Sequence, residues 1–128
     1  MIYLDTSVLL ARLLAEGRQP REEFWDQSLI SSRLLEYEVW NRLHARRLAA
    51  TQGESARALL GRVSFIELAQ PILVRALEPF PKPVRTLDAL HLATALFLKE
   101  QDRTLRLATY DRRLAVAARS LKIPMLVP

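Results

Sequence analysis

The chain has 128 residues, half of them hydrophobic and about a quarter charged, enough for one compact domain over 1–128 that buries roughly two thirds of its unfolded surface. It contains no cysteine, which excludes a disulfide framework and a thiolate metal site, argues against zinc and fits a reducing compartment. The net charge of +5 rests on 19 basic residues, 16 of them arginine, whose planar fork grips phosphate; a nucleic-acid partner is one reading, a solvated arginine-rich surface the other.

The chain opens with "MIYLDTSVLL", in which no basic stretch precedes the apolar residues, and later apolar runs are broken by charge well short of a membrane span. The expectation is a soluble, cytoplasmic protein with no membrane partner.

In chain order, "MIYL" (1–4) reads as a strand and "TSVLLARLLAE" as the first helix, followed by a helical "REEFWDQ". "SLIS" (28–31) is the second strand. A long helix is expected from Arg33 to about Ala50 and another from Glu54 to about Arg62, with Gly53 in the break between them. "SFIEL" (64–68) is a strand, "PILVRALEPF" a helix, and "PFPKPV" (79–84) a stiff connector, because its prolines cannot sit inside a helix. "LDALHLATALFLKEQ" is the next helix, then the strand "LRLAT" (105–109), the helix "RRLAVAARSL" and the strand "PMLV" (124–127). Strands alternating with helices predict an α/β fold, with a parallel sheet covered by helices on both faces. Right-handed crossovers bring all strand C-termini to one edge, where a crevice opens at the point where the strand order reverses.

Only five aspartates are present, and three fall at the start of a predicted helix. Asp5 ends the first strand and opens the first helix, Asp111 follows "LRLATY" in the same way, and Asp88 lies one residue inside a helix that Thr86 could cap. Each alone is explained as a helix cap or by the helix dipole, worth roughly 0.3 to 1 kcal/mol. Their convergence is not, because Asp5 and Asp111 both lie just past a strand and so share the crevice edge.

The fourth acid is Glu38. Leu35, Val39 and Leu43 form an i, i+4, i+8 stripe facing the sheet, and Glu38 lies about 100° off that stripe, at the border of the core. Its structural alternative is a surface pair with Arg42. Glu36 points elsewhere, with Trp40. Carboxylates gathered in one crevice repel each other unless a cation sits among them, and hard oxygen donors suit Mg²⁺ or Mn²⁺.

These residues resemble the PIN-domain ribonucleases, and within them the VapC type of toxin from toxin–antitoxin pairs. "YLDTSVLL" resembles the opening motif with Asp5, "SSRLLEYEVWNRL" the second with Glu38, "LDALHLATA" the third with Asp88, and "LATYDRRLAVAARSLKIP" the fourth with Asp111. The resemblance runs from Ile2 to the last strand and implies a PIN-like three-layer α/β/α sandwich with a central parallel sheet of about five strands. It further implies that Asp5, Glu38, Asp88 and Asp111 are catalytic and hold one or two Mg²⁺ or Mn²⁺ ions for hydrolysis of RNA phosphodiester bonds. Thr6 and Thr109, beside quartet positions, are then candidates to hydrogen-bond a carboxylate; helix-start and strand chemistry is their plainer reading. His91, one turn after Asp88, is a candidate to donate to that carboxylate or to substrate, or to make only a structural hydrogen bond. One departure is Lys122 in "SLKIP", where relatives usually carry glycine after the preceding helix; it either tolerates positive φ or ends the helix differently.

Arg42, Arg46 and Arg112 flank the expected acidic pocket and would bind RNA phosphates without reading bases, most easily on a single strand; Arg47 and Arg113 read more simply as a solvated helix face. The resemblance also implies a homodimer and a small antitoxin lying over the active-site groove. Phe24 reads as core, whereas Trp25 and Trp40 are open between core and partner contact. A strand-end phosphatase would need an aspartate where Ser7 stands, and a receiver-type module would need paired acids near the first strand. A housekeeping RNA-processing nuclease shares the acid pattern, and a silent PIN-like scaffold would be expected to lack part of it.

Overall fold

A computed structural model of residues 1–128 contains one five-stranded sheet in the order β3-β2-β1-β4-β5, with every neighbouring pair parallel. The strands are β1 (Ile2–Leu4), β2 (Leu29–Ser32), β3 (Val63–Ile66), β4 (Arg106–Ala108) and β5 (Met125–Leu126). The helices are α1 (Thr6–Leu13), α2 (Leu34–Ala45), α3 (Ala49–Leu60), α4 (Gln70–Leu77), α5 (Thr86–Gln101) and α6 (Arg112–Ser120). None is long and apolar enough to cross a membrane.

The period-two alternation of a strand divides the core into two layers. In β1, Ile2 and Leu4 join the helix-facing residues of α1, α2 and α3, including Val8, Leu35, Val39, Leu43, Ala56 and Leu60. Tyr3 points the other way and joins Leu92, Ala95 and Leu98 of α5 and Leu114 and Ala117 of α6. Neighbouring residues of β4 split in the same manner, Ala108 to the first layer and Leu107 to the second. With α4 packed against α5, the result is the three-layer α/β/α arrangement. The stripe of Leu35, Val39 and Leu43 faces the sheet as its spacing requires, each residue fully buried.

Several local expectations are corrected. The helix from Arg33 does not reach Ala50: it ends at Ala45, and the chain turns through Arg47 at φ 57°. Gly53 therefore lies inside α3 rather than in a break. A Cβ there would stand 3.3 Å from the Trp40 ring, so the glycine admits an aromatic of α2 against the α3 backbone. "REEFWDQ" forms only a short 3-10 turn over Glu22–Asp26, which buries both Phe24 and Trp25. Trp40 is half-buried, with Arg57 over its ring.

Lys122 adopts positive φ, 59°, and the Ile123 amide reaches back 3.0 Å to the Ala118 carbonyl to close α6. Ala15 and Arg47 end α1 and α2 with the same left-handed residue. No glycine in the chain has positive φ.

The chain leaves β1 toward β2 and β3, then returns to the other side of β1 for β4 and β5. The order thus reverses between β1 and β4, and the crevice opens beyond their C-termini.

Candidate active site

Asp5 and Asp111 are the residues on which this crevice is built, and each is a genuine N-cap. Asp5 accepts from the Ser7 amide at the start of α1, and Asp111 from the amides of Arg113 and Leu114 at the start of α6. The two roles coincide, because a strand that feeds a helix at this edge delivers its capping residue to the crevice. Thr86 does not cap α5: Arg85 is the N-cap, and its own side chain makes no capping hydrogen bond. Asp88 is the third helical residue and reaches the crevice from the first turn of α5.

A cleft of about 270 Å³ is lined by Asp5, Glu38, Asp88 and Asp111, with Thr6, Arg42 and His91 beside them. Four acids from four distant segments thus face one cavity. Arg112 faces an adjoining groove instead, and Arg46, exposed at the C-terminus of α2, lines neither. Glu16, a fifth acid that the sequence did not single out, lies on the rim.

The carboxylates are held unevenly. All hydrogen bonds to Asp5 fall on Oδ2: Ser7 Oγ at 2.6 Å, Thr109 Oγ1 at 2.8 Å and the Ser7 amide at 3.3 Å. Both bonds to Glu38 fall on Oε1, from Thr6 Oγ1 at 3.1 Å and from His91 Nε2. Both bonds to Asp111 fall on Oδ1. In each of the three, one oxygen is anchored by protein while its twin has no protein hydrogen bond. An anchored carboxylate with one oxygen to spare suits a hard cation.

These bonds also correct the expectation that only a cation could make the cluster tolerable. Hydroxyls and amides solvate Asp5 and Asp111, and His91 lies against Glu38. The Glu38–Arg42 surface pair does not form. No three His, Asp or Glu side chains are already gathered into a ligating cluster.

Asp88 differs from the others. Burial raises its carboxyl above the usual carboxylate range, opposed by a hydrogen bond from the Arg85 backbone and reinforced by the charges of Asp111 and Asp5. A cation beside it would favour its charged form.

His91 does not bond Asp88. Its Nδ1 lies 2.7 Å from the Tyr3 hydroxyl, whose oxygen also accepts the Ser32 amide at 3.3 Å, and its Nε2 meets Glu38. Burial disfavours the charged imidazole, but the hydrogen bond and charge of Glu38, with Asp5 and Asp88 behind it, outweigh burial and raise its pKa. Burial also raises the Tyr3 phenol, so it remains an O–H group.

The sequence alone assigned no site role to Tyr3 or Ser7. A tyrosine in an otherwise aliphatic central strand is a signal, because its buried hydroxyl must find partners. Ser7 binds Asp5, lies 3.2 Å from the Thr109 hydroxyl and accepts the Tyr110 amide at 2.9 Å, tying β1 to the loop after β4. Its position two residues after an aspartate is the local signal.

A family model described as PIN domain matches residues 2–120. Ribonuclease VapC47 of Mycobacterium tuberculosis is 32 % identical, the alignment covering 94 % of this chain and 92 % of that protein. Ribonuclease VapC35 of the same organism is also 32 % identical, over 100 % of this chain and 97 % of its own length. Among solved structures, a toxin-antitoxin complex from Klebsiella pneumoniae matches with a TM-score of 0.67 and 18 % identity, over 100 % of this chain and 98 % of that one, a likeness of fold. The chain belongs to the PIN-domain family and, within it, to the VapC type.

Proposed function

We propose that this protein is an endoribonuclease toxin that hydrolyses RNA phosphodiester bonds with a divalent cation, Mg²⁺ or Mn²⁺, held by Asp5, Glu38, Asp88 and Asp111. The observation that carries this reading is the pairing of one anchored oxygen with one unbonded oxygen in Asp5, Glu38 and Asp111, beside a partly buried Asp88 of raised pKa. A divalent ion bound there supplies a more acidic water and offsets charge on the attacked phosphate.

The chain's own residues do the rest. Ser7 and Thr109 fix the Asp5 carboxylate and prevent it from turning. His91 and Thr6 fix Glu38 in the same way. Arg42, on the cleft wall, stands where it can bind a phosphate next to the cleaved bond. Arg46, a turn further on, is reassigned to a peripheral contact.

The similarity to VapC ribonucleases and to a toxin-antitoxin complex supports a toxin with an antitoxin partner, here proposed to be small and to cover the groove. The protein is further proposed to act as a homodimer in the cytoplasm. Purified protein should cut single-stranded RNA with Mg²⁺ or Mn²⁺ and stop in excess chelator, and Asp5→Asn or Asp88→Asn should abolish cutting while the fold is retained. Equal cutting in chelator would refute the metal mechanism, and full activity in both variants would refute the residue assignment. Growth arrest on expression, relieved by the same substitutions, tests the toxin role against RNA processing.

A further inference from the structure

Beside the acid cleft runs a second groove of about 450 Å³, between α6 and the segment around β5. The two cavities share Tyr110 and Asp111, so the groove is a continuation of the cleft. Its lining includes Arg18, Arg112 and Arg119. None of the three takes part in a salt bridge; the arginines that do are Arg12 and Arg33. Arg112 and Arg119 lie seven residues apart on α6, two turns along one face. Arg18 lies over the Tyr110 ring, 4.6 Å from its centroid, and donates to the Tyr110 carbonyl at 3.4 Å. It is thereby held at the junction of groove and cleft.

Most arginines of the chain form no salt bridge; what sets these three apart is that they line one channel beside an acidic pocket. Within a strand-cutting site, cationic groups are repelled from a bound metal yet attracted to a polyanion that runs past it. An exposed guanidinium without a carboxylate partner is free to neutralise phosphate, and three along one channel form a track rather than a point contact. The apolar floor, to which Val116 contributes, offers no hydrogen-bonding pattern that would read base edges.

We propose that this groove carries the RNA backbone on one side of the cleaved bond, with Arg18 and Arg119 joining Arg112 as phosphate-binding residues. This rests on the endoribonuclease reading above. It adds a direction to it: the strand leaves the acid cleft past Tyr110 and Asp111 and follows α6.

The test uses full-length protein carrying Asp5→Asn to prevent cutting, with a labelled single-stranded RNA, and measures Kd over a range of salt concentrations. Arg18→Ala with Arg119→Ala should weaken binding about tenfold at low salt and flatten the dependence of log K on log salt by roughly 0.7 for each arginine removed. Arg18→Lys with Arg119→Lys should keep most of the slope, and Arg103→Ala, at the opposite edge of the sheet, should leave slope and Kd unchanged. Far-UV circular dichroism confirms the fold of each variant.

Unchanged Kd and slope in the double alanine variant, with the parent chain still cutting RNA, would overturn the groove assignment and leave the nuclease reading intact. A parent that neither cuts nor binds RNA would overturn both. If the double variant binds RNA normally but loses affinity for an acidic peptide, the groove belongs to a protein partner and the proposal is overturned.

Discussion

His91 Nε2 meets Oε1 of Glu38 across 53 positions of sequence, and the far side of the same ring meets Tyr3. A carboxylate on α2 is therefore held from β1 through a residue of α5, joining three elements at the crevice edge. Tyr3→Phe should leave the fold intact but remove the acceptor of the Ser32 amide and a partner of His91. Urea unfolding should show a loss of about 1 to 3 kcal/mol. Calorimetry should also show weaker Mn²⁺ binding, since an orienting hydrogen-bond partner is worth roughly 10- to 100-fold in metal affinity. Unchanged Mn²⁺ affinity at reduced stability would make Tyr3 a packing residue only.

The His91–Glu38 contact also predicts how stability varies with pH. The imidazole has a folded pKa above its ordinary 6.5, so its contribution is fully present below that value and is lost as pH rises through the folded value. Melting temperature in chelator should fall over that window in the parent chain. In His91→Gln, which cannot titrate there, this part of the decline should vanish. Asp88 acts in the opposite pH range: its raised pKa costs stability as pH rises above 3.8 toward the folded value, because the folded state resists ionisation. Asp88→Asn should remove that cost.

Asp111 combines a cap with a proposed metal-binding carboxylate, and two substitutions separate these roles. Asn caps as well as Asp, so Asp111→Asn should keep the melting temperature and lose RNA cleavage. Asp111→Ala should lose cleavage and about 1 kcal/mol of stability as well. If Asn and Ala prove equally destabilising, the cap depends on charge rather than on hydrogen bonds.

Lys122 occupies the left-handed region at the end of α6, where a Cβ crowds the backbone. Its carbonyl accepts from Lys99 Nζ at 2.8 Å, a contact that needs no Lys122 side chain. Lys122→Gly should therefore stabilise the protein, by about 1 kcal/mol in thermal or chemical denaturation. A fall in stability would show that the lysine side chain contributes more than its backbone costs.

The layers were legible because their signals are local and periodic. The i, i+4, i+8 stripe of α2 and the alternation of apolar strands with amphipathic helices determine which faces meet. Asp5 and Asp111 were legible because a parallel sheet delivers strand ends to one edge, whereas Glu38 and Asp88, on helices, stood out only through the family motifs. Other features depend on contacts between distant segments. Gly53 reads as a helix breaker, yet it serves Trp40 across the α2–α3 contact. Arg47 carries no local mark of positive φ. Glu38 has a natural-looking partner in Arg42 at i+4, and only folding shows that His91, from another helix, takes it instead. Tyr3 was visible as a strand residue but not as a hydrogen-bonding one, because its partners come from β2 and α5.

With β1 central, a nascent chain has its first acid on the page of history long before that acid has a home. The Thr109 hydroxyl that pins Asp5 lies 104 residues downstream, just past the strand that pairs with β1. Without β4 and the start of α6, β1 lacks one of its two neighbour strands and the crevice lacks both the Thr109 bond and Asp111. The four-acid cleft is therefore complete only when both halves of the chain have come together.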